Sequence, residues 1–142
     1  MDLLLIVRDA LASSLAGNAM IALAARGAGR EVAILLTAEA LAAVARGSFA
    51  WPRELSGQEM RLRLADRAKA LGLPLASKGE ARQLDVRALL AQARSAGVQV
   101  YACPIWSSLL DLEGKLPDGL QALDRDAVAR LVLEAKRVVG SF

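Results

Sequence analysis

Short, uninterrupted aliphatic runs constrain this chain more than any other feature. Residues 3–7 read Leu-Leu-Leu-Ile-Val, and residues 31–36, expected as a second buried strand, read Glu-Val-Ala-Ile-Leu-Leu. Neither run alternates polar with apolar side chains, which is the pattern of a parallel strand covered on both faces by helices. A third run, Val98-Gln99-Val100-Tyr101-Ala102-Cys103, follows Gly97 and stops at Pro104. Helical spacing fills the intervals between these runs. Such alternation predicts a three-layer α/β/α fold, its mostly parallel strands joined by right-handed crossovers. At 142 residues the chain has the length of one domain, residues 1–142, and buries enough surface to fold without disulfide or metal staples. Apolar residues make up 55% and aromatics only 4%, so the core is built from Leu, Val, Ile and Ala, which let helices approach the sheet closely.

Local punctuation divides the rest. Ser13 or Ser14 is expected to cap a helix that runs to about Arg26 and ends at Gly27 and Gly29. Thr37 is the natural cap for a helix over 38–46, stopped by Gly47. Phe49, Trp51 and Pro52 mark a loop with aromatic anchors. Ser56-Gly57-Gln58-Glu59 fits a capping box, in which the serine and the glutamate each satisfy a backbone donor at the start of a helix reaching Leu71. A strand over 73–77 is restricted to an edge by Pro74. Asp85 caps a helix over 86–96, a short helix covers 105–113, and a final helix covers 126–136 before a terminal strand at Val138 and Val139.

Composition removes several chemistries. With no histidine, neither Ser-His-Asp nor Cys-His catalysis can be assembled. One cysteine without imidazole ligands makes no zinc or copper site, so no metal and no cofactor are expected. Gly27-Ala28-Gly29 precedes a strand rather than opening a helix, so it is a turn and not a dinucleotide loop. The net charge of +3 comes from 18 basic residues scattered among 15 acidic ones, and few aromatics are free to stack on bases. No nucleic-acid partner is expected. The apolar opening is too short for an export signal or a membrane span, and a lone cysteine suits a reducing compartment. A cytoplasmic protein without membrane insertion is the expectation.

That cysteine, Cys103, is the main chemical handle. In parallel sheets, ligands and reactive groups gather beyond the carboxyl ends of the strands. Pro104 is pre-set for a first helical position, which makes Cys103 the N-cap of the next helix, and unpaired amides there favour a thiolate. Two alternatives stay open. The helix could instead start at Ser107 or Ser108, leaving Cys103 in a loop, and a free cysteine often serves only as a small buried hydrophobe. Arg8 lies just past the first strand on the same rim and is a candidate partner for a thiolate or an anionic ligand, the alternative being an ordinary surface arginine. Trp51 and Trp106, with Pro104, are candidate walls of a small pocket there, or else core or subunit contacts; the alternative function is a non-enzymatic small-ligand or nucleotide-binding module, or a structural subunit, with Cys103 only packing.

Three stretches together resemble the DsrE/DsrF-like (DsrE/F/H, peroxiredoxin-like) family of small sulfur-relay proteins: Ala24-Ala25-Arg26-Gly27-Ala28-Gly29-Arg30-Glu31-Val32-Ala33-Ile34-Leu35-Leu36, Gly97-Val98-Gln99-Val100-Tyr101-Ala102-Cys103-Pro104, and Glu134-Ala135-Lys136-Arg137-Val138-Val139-Gly140-Ser141-Phe142. Glycine, an aliphatic strand and Tyr-Ala-Cys form the most specific of these patterns. The resemblance implies a five-stranded, flavodoxin-like parallel sheet and a trimer or hexamer. It also implies that Cys103 accepts a persulfide from a sulfur donor protein and passes it to an acceptor. The chain departs from relay subunits in having no second cysteine and no histidine, and residues 49–83 match no family pattern.

Overall fold

The computed structural model describes residues 1–73 and 84–140. Five strands, β1 (Leu3–Val7), β2 (Val32–Leu36), β3 (Gln99–Ala102), β4 (Gln121–Ala122) and β5 (Val138–Gly140), form one sheet in the order β4-β3-β2-β1-β5. Every pairing is parallel: Leu5 lies beside Ile34 and Val139, and Ile34 beside Val100. The two uninterrupted aliphatic runs occupy the middle of this sheet, where neither face meets water. This is the three-layer α/β/α arrangement expected from the alternation of strands and helices.

Side chains alternate across the sheet, and the two faces differ in their cover. Leu5, Val7, Val32, Ile34, Leu36, Val100 and Ala102 project into the larger core. Helices α1 (Ala12–Gly27), α2 (Ala38–Arg46) and α4 (Val86–Ser95) supply most of the rest, with Val98 and Leu120 from the connecting segments. Alanines at 12, 16, 19 and 22, all buried, line the inner face of α1 at helical spacing. With only a methyl group at each, α1 packs close to β2 and α4. Leu4, Ile6, Ala33 and Leu35 point the other way, into a smaller core. Helix α6 (Arg125–Glu134) covers it with Val128 and Leu131, yet buries no residue fully.

The helix starts correct several expectations. Helix α1 begins at Ala12 with Leu11 as its cap, not at Ser13 or Ser14. Asp9 displaces the serines because its carboxylate accepts both from the Leu11 N–H and from the Ser14 hydroxyl, at 3.0 Å each. Thr37 caps α2 by position but makes no side-chain cap bond. The capping box at Ser56 does not form. A short 3-10 turn over Arg53–Leu55 draws the Ser56 hydroxyl back to donate to the Arg53 carbonyl, Gly57 becomes the cap of α3 (Gln58–Ala70), and Glu59 faces Arg63 one turn on. Asp85 does cap α4, accepting from Ala88 N–H at 2.9 Å. Helix α6 starts one residue earlier than expected because Asp124 accepts from Ala127 N–H at 2.6 Å. Apart from Leu73, the strand expected over 73–77 lies outside the described residues. So do Ser141 and Phe142.

Candidate functional site

The candidate site is built where β3 ends. Strand β3 stops at Ala102, and helix α5 (Pro104–Leu109) starts immediately, with Pro104 in its first turn and Cys103 as its cap. The start at Ser107 or Ser108 is therefore not used. Ser107 is buried, its N–H donating to the Cys103 carbonyl at 2.8 Å, and the Ser108 hydroxyl donates back to the Pro104 carbonyl while also meeting Glu113. Proline selects this start because its ring pre-sets the backbone angle of a first helical residue and it has no N–H to leave unpaired. Helix α5 stops at Leu109 rather than near Glu113, since Asp111 adopts a left-handed conformation, φ 54°.

The Cys103 backbone is held on both sides. Its N–H donates to the Leu36 carbonyl at 2.9 Å, continuing the β2–β3 ladder, and its carbonyl accepts the first α5 bond. The side chain is half-buried and free of any disulfide. Following the strand alternation, it belongs to the smaller core, beside Leu35, Tyr101 and Leu123. It makes no cap hydrogen bond, and the amides of Ile105 and Trp106 have no backbone acceptor, as at the start of any helix. A thiol here is neither fully enclosed nor bound to a protein partner among the described residues.

The other candidates do not gather around it. Arg8 is exposed and leans toward Glu39 on α2, 3.9 Å away, so the nearest opposite charge is a surface carboxylate. Trp51 packs against the larger core, on the opposite face of the sheet from the Cys103 side chain. Pro104 is half-buried directly beside the cysteine, and Trp106 stands on α5 with 37% of its surface exposed, flanked by exposed Ile105 and Leu109. The pocket imagined between Arg8, Trp51 and Trp106 thus divides into a rim at Cys103 and a separate cleft at Trp51.

That cleft, of about 300 Å³, is lined by Phe49, Trp51, Asp85 and Arg87 among others. Phe49 and Arg87 were not picked out as site residues from the sequence. The only signal was the spacing of two aromatics in a loop otherwise poor in them, because the partner helix α4 arrives from far along the chain.

Among the described residues, no helix is long and apolar enough to cross a membrane. No protein-family model matches the chain. Nor does any curated protein sequence match it. Its backbone does match a solved structure, the crystal structure of the ychN protein from E. coli, with a TM-score of 0.60 and 19% identity over 99% of this chain and 100% of that one. At that identity the likeness carries the fold alone, and the chain has the DsrE-like, flavodoxin-like α/β/α architecture over almost its whole length.

Proposed function

We propose that this chain is a sulfur-carrier subunit of the DsrE type, a single domain acting in the cytoplasm as a homo-oligomer, with Cys103 as the carrying residue. The observation that carries this reading is the position of the one cysteine: half-buried at the carboxyl end of an interior strand, capping a helix whose first amides are unclaimed. Ligand chemistry in parallel sheets collects at that end of the strands, which supports a reactive rather than a packing role for a half-buried thiol there.

The chemistry is group transfer. The Cys103 thiolate attacks the outer sulfur of a donor persulfide; the new Cys103 S–S bond forms as the donor S–S bond breaks, and the donor leaves as a thiolate. An acceptor thiolate then attacks the outer sulfur on Cys103, and Cys103 returns as a thiolate. No net oxidation occurs, and no proton base is required of the protein if both thiols arrive ionised. That fits a chain with no histidine.

Incubation with polysulfide or a persulfide-loaded sulfurtransferase, followed by intact-mass measurement, is expected to add the mass of one sulfur atom at Cys103. The adduct should disappear on adding a small thiol and be absent in Cys103→Ser. If native protein takes up no sulfur and resists alkylation until unfolded, Cys103 is a packing residue of the smaller core and the carrier reading fails.

The oligomer is supported by the thin cover on the Cys103 face. Leu109 on α5 is 67% exposed and Leu133 on α6 is 82% exposed, while Val138 and Val139 on the edge strand β5 also face outward. Apolar surface of this kind is commonly closed by another subunit.

A further inference from the structure

The cleft at Trp51 is separate from the cysteine and has its own chemistry. It lies between the loop that follows α2 and the first turn of α4, where Ala12, Gly47, Leu84 and Val86 complete its lining. Phe49 and Trp51 are both half-buried, each ring packed on the larger core. The Arg87 guanidinium lies over Gly47, which adopts φ 69° as the cap of α2; a β-carbon there would come within 2.7 Å of the Arg87 Nη1 atom. The absence of a side chain at Gly47 is thus what lets the guanidinium lie at the cleft.

Among the described residues Arg87 makes no ion pair or hydrogen bond through its side chain, whereas the other charge on the wall, Asp85, is engaged by the Ala88 N–H. Arg87 also borders a second cleft, of about 520 Å³, but that one carries Arg94 and Asp118 together and has no aromatic wall.

We propose that the Phe49–Trp51–Arg87 cleft binds a small planar aromatic anion, of the aromatic carboxylate class, with the ring against Phe49 and Trp51 and the charge on Arg87. Aromatic faces favour a flat ring in offset or edge-on contact, and a planar guanidinium matches a carboxylate with two parallel N–H donors. About 300 Å³ is at the low end of small-molecule sites and suits one or two rings rather than a dinucleotide.

Para-nitrobenzoate serves as probe, because a nitroarene quenches indole emission on contact, and Trp106→Phe leaves Trp51 as the single tryptophan. Saturable quenching is expected. It should weaken by about tenfold or more in Arg87→Gln, the size of one lost charged hydrogen bond, and equally with uncharged nitrobenzene on the unmodified arginine. Arg87→Lys, which keeps the charge, should recover part of the affinity. Arg87 is exposed, so unchanged melting curves are expected for both variants. Quenching that rises linearly with concentration, that is equal for nitrobenzene, or that survives Arg87→Gln would overturn the proposal. Cys103→Ser is expected to leave the titration unchanged, so this result stands or falls independently of sulfur transfer.

Discussion

Single side chains set the local geometry here through charge and backbone freedom. Asp2 joins three segments: its carboxylate accepts from Lys136 Nζ at 2.7 Å, just before β5, and from the Glu31 N–H at 2.9 Å, just before β2. The Lys136 hydrogen bond, then the Glu31 amide, lower its pKa from 3.8 to about 2. The unfolded chain therefore takes up a proton at Asp2 at a higher pH than the folded one. The stabilisation is complete above about pH 4 and fades as the pH falls toward 2. Asp2→Asn should remove that part of the acid dependence, as read from melting temperatures across this range. Gly97, at φ 95°, is a second such residue: a β-carbon there would meet the Arg26 Nε atom at 2.9 Å, the same nitrogen that donates to the Ala96 carbonyl. Gly97→Ala is expected to cost about 1 to 3 kcal/mol in chemical denaturation, from backbone strain and the displaced arginine.

At the scale of elements, α1 shows how small side chains decide spacing. Ala19 is fully buried between the sheet and α4, and Ala19→Leu forces an extra three carbons into that seam. A loss of about 1 to 3 kcal/mol is expected, with the fold retained. Ile21, 53% exposed on the outer face of the same helix, is the control: Ile21→Ser should stay within about 0.5 kcal/mol. Helix α5 is the element whose start was decided locally. Pro104 and Cys103 were readable as first residue and cap, since proline's geometry acts within its own peptide. The starts of α1 and α3 were misread for the converse reason. Asp9 and the 3-10 turn at Arg53–Leu55 compete for the same hydroxyls, and such competition depends on loop conformation rather than on a four-residue pattern.

For the whole molecule, the unequal cover of the two sheet faces is the property with most consequence. The larger core is closed by three helices, but the smaller one is closed by α6 with no fully buried residue. Sedimentation velocity is expected to give an assembly larger than one chain, and Leu109→Asp with Leu133→Asp is expected to shift it to the monomer. A monomeric unmodified chain would remove the oligomer from the proposed function and leave the sulfur-binding test standing on its own.

Strands β1, β2, β3 and β5, the parallel sheet and the position of Cys103 at a strand end were determined by the sequence itself, whereas the two-residue edge strand β4 was not expected. Each expected feature rests on signals within a few residues: uninterrupted aliphatic runs, glycine stops and one proline. Tertiary structure alone decided which side chains meet. It put Trp51 and Cys103 on opposite faces of the sheet, turned Arg8 toward Glu39, and brought Arg87 from α4 over Gly47 to face Trp51. Residue spacing reports periodicity along the chain, whereas contact between segments tens of residues apart follows from strand register and helix packing, which no local pattern contains.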